Sequence, residues 1–416
     1  MTNLKGVEIM ALRPFVDALP IPKVLKPKLR HKDFTYYEVR MQEFFHQFHR
    51  DLPATKVWGY EAQVPGPTIE VEQGEETHIQ WMNELPENHF LPIDKSLHAC
   101  HEGMPEVRTV VHLHGAEVDP DSDGYPDAWY TNNYKKCGPC FKQKIYKYEN
   151  NQRPTALWYH DHATGITRLN VYAGLAGLYF IRNEQEKALN LPSGIYEIPL
   201  VIQDKTFNED GSLFYPANVD NPPPTYPEVS VVPGFAGDTI VVNGKAWPFL
   251  EVEQRKYRFR ILNASNERFY RMSLDSGQQM IQIGSDGGLL HKPVRLDELI
   301  LGPAERADVI IDFSNQSVGA SIILNNTARN PFDFGEEADP LTTGLIIEFR
   351  VKEASSQDTS SIPQTLSVIK KLEECDAKKT RDITLDVGTD IYNRLLFILN
   401  SSEFIDGISE NPEVGD

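Results

Sequence analysis

The strongest constraint on the fold is a segment that the chain uses twice. PTIEVEQGEETHIQWMN, beginning at Pro67, returns as PFLEVEQRKYRFRILN at Pro248, 181 residues later and one residue shorter. Both copies read as a strand, a turn and a second strand ending in Asn. The spacing is about that of one β-sandwich with decorated loops. Short strand-like runs such as Lys256–Asn263 and Ser321–Asn325 fill much of the remaining chain, and the 29 prolines and 27 glycines fall mainly between them. These features predict an all-β fold of sandwiches or barrels in tandem. IVVNGKAWPFLEVEQ, from Ile240, is echoed more weakly by LFILNSSEFIDGISENPEVGD, from Leu396. That echo is either the opening of a third copy or a chance match.

Two pairs of histidines carry the chemistry. His112 and His114 stand in VVHLHG, and His160 and His162 stand in LWYHDHATG. Residues i and i+2 of a strand share a face, so each H-x-H sets two imidazoles side by side. A single H-x-H is more often a pair on the polar face of a strand. Here both pairs come after apolar runs and meet a glycine within three residues. Two such strands facing each other would form a four-imidazole wall suited to copper or zinc.

With these motifs in view, the chain resembles the multicopper oxidases. The family patterns H-x-H-G and W-x-H-x-H stand as His112-Leu113-His114-Gly115 and Trp158-Tyr159-His160-Asp161-His162. LPIPKVLKP, RDLPATKVWGY, DSDGYPDAWY, TRLNVYAGLAGLYFI and IQIGSDGGLL are similar to one branch, the spore-coat laccases and bilirubin-oxidase-like enzymes. The resemblance runs from about Phe15 to Gly415. It implies an all-β chain of tandem cupredoxin-like Greek-key β-sandwich domains, two complete and a third truncated. Residues 1–183 would form the first, 184–350 the second, 351–380 a linker and 381–416 the start of the third. SVIKKLEECDAKK, within that linker, could coil into one or two helical turns.

The resemblance also implies roles. His112 would bind type 2 copper, and His114, His160 and His162 the type 3 pair. Asp123 would help deliver protons during dioxygen reduction, although a D-x-D-G loop is also an ordinary turn. The substrates would be phenolic or tetrapyrrole-like molecules together with dioxygen, and a spore-coat location is implied. The family's H-P-x-H-x-H and H-C-H-x-x-x-H segments are not found; the last histidine is His291 and the last cysteine Cys375. Half of the trinuclear ligands and the type 1 thiolate are therefore missing, so the chain alone is expected to be inactive. A second polypeptide supplying the third domain, a disrupted gene and a shortened chain are all compatible with this. So are two other classes of function, a non-catalytic coat protein and a partial copper-binding module.

Lesser signals bound these readings. The net charge of −19 disfavours nucleic acid as a partner. The first twenty residues hold no signal-peptide core and no apolar run is long enough to span a membrane, which makes cytosolic synthesis the expectation. Cys137-Gly138-Pro139-Cys140 copies a thioredoxin-type motif. The next segment, FKQKIYKYE, alternates like a strand where redox catalysis would need a helix, so redox catalysis is not expected, and a disulfide across the loop stays open.

Overall fold

The computed structural model describes residues 12–403. Nine strands lay down the first sandwich: β1 (Leu29–Arg30), β2 (Thr35–His46), β3 (Thr55–Tyr60), β4 (Gly66–Glu72), β5 (Thr77–Asn83), β6 (Val111–His114), β7 (Ile145–Tyr148), β8 (Thr155–Asp161) and β9 (Ala176–Arg182). One sheet runs β1-β2-β5-β7, with β3 also on β2, and the facing sheet runs β4-β9-β8-β6. Strict alternation of buried and part-exposed residues along THIQWMN shows why β5 is a strand with one dry face. Trp58, Trp81, Tyr60 and Tyr159 fill the space between the sheets.

The second sandwich contains β10 (Glu197–Phe207), β11 (Leu213–Phe214), β12 (Thr239–Val242), β13 (Lys245–Ala246), β14 (Phe249–Glu253), β15 (Lys256–Asn263), β16 (Tyr270–Leu274), β17 (Met280–Ser285), β18 (Gly288–Leu296), β19 (Leu299–Leu301), β20 (Arg306–Asp312), β21 (Ser321–Asn326) and β22 (Leu345–Lys352). Its main sheet runs β13-β12-β10-β15-β20-β17-β18 and its partner β14-β22-β21-β16-β19.

The repeated segment has the same job in both sandwiches. In each copy the first strand joins one sheet and the second crosses to the other. The first strands, β4 and β14, pair in parallel with the last strands, β9 and β22. The second strands, β5 and β15, pair in parallel with β2 and β10.

Charge knits the seam between the sandwiches. Arg258 and Arg260 leave one face of β15, while Phe259 and Ile261 enter the core from the other. The two guanidiniums share Glu186 at 2.7 and 2.9 Å, and Arg260 also holds Glu197 at 2.8 Å. Arg182, closing β9, reaches Glu197 at 3.1 Å and Glu70 at 2.9 Å. Burial pushes the Glu197 carboxyl up, but the three arginines outweigh it and hold the group ionised. Removing one member of such a buried set typically costs ~3–5 kcal/mol, because a charge is left without a partner.

Residues 353–367 lie along the second sandwich. Ser355 Oγ donates to Glu253 at 2.9 Å, Asp358 accepts from Lys256, and the Leu366 amide donates to the His291 carbonyl at 2.9 Å. These bonds tie the segment to neighbouring strands. Within 367–379 the helical turns expected from the sequence reduce to one 3-10 turn, Glu374–Asp376. Beyond it, β23 (Leu385–Thr389) and β24 (Leu395–Leu399) form an isolated hairpin. The weaker echo has a structural counterpart in its described part. Asn400 and Ser401 both have positive φ (48° and 61°), as do Asn243 and Gly244 (48° and 79°) after β12. The remainder of that echo lies outside the described residues.

One side chain ties this hairpin to the first sandwich. Arg394, 4% exposed, donates to Asp94 at 2.6 Å, to Ser230 and Ser96 at 3.0 Å, and to Asp390 at 2.7 Å. The hairpin's Leu385 and Phe397 are 83% and 75% exposed, so apolar packing contributes little. Arg394→Ala is expected to accelerate amide exchange across 385–399 while leaving β8 protected, as read by hydrogen-exchange mass spectrometry. Unchanged hairpin exchange would show that other contacts hold it.

Candidate metal centre

β6 and β8 run antiparallel with His112 opposite His160 and His114 opposite Trp158. That register turns His112, His114, Trp158 and His160 to one face. Leu113 and Tyr159 enter the core from the other face, and Asp161 is fully buried. His162 comes just after β8, its amide donating to the Val110 carbonyl at 2.8 Å. The four imidazole centroids lie close together: His112 is 5.5 Å from His114, 5.5 Å from His160 and 5.2 Å from His162. Candidate ligand nitrogens of His112, His114 and His160 fall within 4.8 Å of one another.

The hydrogen bonds select which nitrogens face the gap. His112 Nδ1 donates to the Asp123 carbonyl at 2.6 Å, and His160 Nδ1 to the Asp161 carbonyl at 2.8 Å, so each Nε2 keeps its lone pair. His160 Nε2 and His114 Nδ1 face each other at 3.3 Å. His162 Nδ1 is buried without a hydrogen-bond partner. Trp158 stacks on His160 at 4.0 Å and on His114 at 5.3 Å, fixing both rings from one side.

Electrostatics keeps most of the wall neutral, as a ligand set requires. Burial lowers His114 to about 4, helped by the nearby Arg306 guanidinium. Burial also takes His160 well below the usual range and lowers His162. His112 differs: burial acts to lower it, but the Asp123 carboxylate and carbonyl together raise it. Asp123 Oδ1 lies 3.4 Å from His112 Nδ1, with its side chain 42% exposed. It closes α1 (Pro120–Asp123), where Gly124 adopts φ 85°. A Cβ at Gly124 would sit 2.2 Å from the Val111 carbonyl, so only glycine lets this loop approach β6.

All five residues singled out from the sequence thus meet at one place. Two others escaped that reading. Asp161 accepts from the amides of Val110 (3.0 Å) and Ala163 (3.1 Å) and from Asn170 (2.7 Å), locking the turn that presents His160 and His162. Burial raises its pKa to about 7. A carboxylate at the inward position between two histidines was the available signal. Arg306, from β20 of the second sandwich, has no local signal at all. It lies against the site with Nη2 2.7 Å from where a Gly115 Cβ would be, and the φ of 87° at Gly115 explains the glycine of H-x-H-G.

Profiles of the multicopper oxidase family match residues 46–107, 103–186 and 182–346. The laccase of Bacillus subtilis is 52% identical over 410 residues, covering 98% of this chain and 79% of that protein. The chain belongs to the multicopper oxidase family. Another relative, multicopper oxidase LPR1 of Arabidopsis thaliana, is 40% identical over 91% of this chain and 66% of its own length. Among solved structures, the McoA multicopper oxidase of Aquifex aeolicus superposes with a TM-score of 0.71 at 28% identity, covering 96% of this chain and 77% of that one. The all-β cupredoxin-like fold agrees with these neighbours. Among the described residues, no helix is long and apolar enough to cross a membrane.

Asp123→Asn removes the carboxylate that faces His112, so the His112 pKa is expected to fall in the metal-free protein. The check is an NMR titration of its imidazole protons. With the sign worked through, the raised His112 pKa stabilises the metal-free fold at acid pH. That contribution is lost as pH rises through the folded pKa. A His112 pKa unmoved by the substitution would remove Asp123 from this role.

Proposed function

We propose that this polypeptide is laccase-type. In this reading it takes part in one-electron oxidation of phenolic or tetrapyrrole-like substrates, coupled to reduction of dioxygen to water. The observation that carries the proposal is the wall of four convergent imidazoles, in which backbone carbonyls hold Nδ1 of His112 and of His160.

The donor set fits copper. Imidazole suits that metal, the rings of His114, His160 and His162 are neutral near pH 7, and His162 Nδ1 is a buried nitrogen that lacks any other use. His112 is assigned to a type 2 ion, and His114, His160 and His162 to a type 3 pair. Copper held there would supply the electrons that dioxygen takes up. The chain's own residues contribute position and protons. Trp158 and Asp161 fix the ring planes, and burial, helped by Arg306, keeps His114 unprotonated. Asp123, half-exposed beside His112, is placed to pass protons from solvent toward the gap.

The wall offers four imidazoles, and residues 1–416 hold no H-C-H segment. A type 1 centre needs a thiolate with two imidazoles. Among the described residues, the ligand atoms that fall within 4.8 Å of one another at this site come from His112, His114 and His160, with no thiol among them. The working oxidase therefore requires further ligands, carried by additional sequence or by a second polypeptide.

The 416-residue chain loaded with copper is expected to bind the metal without an intense blue band and without oxidising a phenolic dye. Supplying the third-domain ligands should restore both. His112→Ala with His160→Ala should lower copper stoichiometry, measured by atomic absorption after gel filtration. A blue, dye-oxidising preparation of the chain alone would overturn the type 1 argument, and undiminished copper in the double variant would overturn the ligand assignment.

A further inference from the structure

Cys137 and Cys140 are not absorbed by the oxidase reading. Neither is paired in a disulfide. They flank a tight turn in which the Phe141 amide donates to the Gly138 carbonyl at 3.1 Å. Strand β7 is the next element in the chain, so this turn lacks the helix that thioredoxin-type chemistry needs. Cys137 is exposed and Cys140 partly so.

The surroundings are basic. KKCGPCFKQKIYK, residues 135–147, holds five lysines and no acidic residue in a chain of net charge −19. Lys144 lies beside this turn, its ammonium 4.5 Å from the Tyr134 ring, and Cys137 is itself 3.9 Å from the Tyr134 carbonyl. The turn is also built onto the metal wall. Cys137 bridges Tyr130, which bridges Thr109 on the approach to β6. The Cys140 amide donates to the Asp127 carbonyl, and Asp127 Oδ1 accepts from Thr164 at 2.6 Å, two residues beyond His162.

We propose that Cys137 and Cys140 form a separate binding site for monovalent copper. Soft thiolates select Cu(I), which is satisfied by two of them, whereas zinc asks for four ligands that this turn does not offer. Each thiol gives its proton to solvent, two copper–sulfur bonds form, and copper stays monovalent, so no electron moves. The resulting bis-thiolate complex is an anion, which the lysines stabilise. The same lysines repel a bare divalent cation.

The test is an anaerobic competition for Cu(I) against bicinchoninate, using the full chain with Cys375→Ser to remove the other exposed thiol. This protein should withdraw one more equivalent of Cu(I) than the same chain carrying Cys137→Ser and Cys140→Ser. Bound Cu(I) should also shield both cysteines from iodoacetamide. The equivalent should persist in His112→Ala with His160→Ala, which separates this site from the histidine wall. The proposal is overturned by equal withdrawal with and without the two cysteines, or by loss of the equivalent in the histidine variant. Zinc shielding the thiols as well as Cu(I) does, or a disulfide that forms in preference to copper retention, would overturn it too.

Discussion

The pairing of β6 with β8 is the constraint on which the metal wall depends. His112 faces His160 across an antiparallel ladder, and strand side chains alternate, so a slip of one residue would bury the histidines and expose Leu113 and Tyr159. The hydrophobic demand of the core therefore fixes the register. Tyr159 helps to enforce it: fully buried, it donates to the Pro67 carbonyl at 2.6 Å and packs on Tyr60 and Trp81. The imidazoles occupy the face that the core does not claim.

Burial then sets the chemistry of that face. Desolvation disfavours imidazolium, and Arg306 adds to it at His114, so the metal-free wall resists charging without needing a metal to suppress it. Asp123 acts in the opposite direction on a single ring. The site thus combines three histidines whose charged form burial disfavours with one whose charged form a half-exposed carboxylate favours.

The seam between the sandwiches carries the same logic at larger scale. Arg306 reaches the wall only because β20 sits where the two sandwiches meet, its Nε donating to the Ala156 carbonyl of β8 at 3.1 Å. The buried arginine–carboxylate lattice nearby has partners from both sides, so a shift of one sandwich would strand charges in a dry environment.

By itself the sequence determined the all-β class, the repeated strand pair and the five residues that meet at the wall. Those features depend on local periodicity: alternation defines a strand, and i, i+2 spacing defines its face. Only the tertiary structure decided that His112 opposes His160, that Asp161 turns inward and that Arg306 arrives from a strand about 150 residues away in the chain. It also decided the course of residues 353–367, which hydrogen bonds tie to strands of the second sandwich. Register, burial and long-range charge arise from contacts between segments far apart in sequence, and their energies exist only once the chain has brought those segments together.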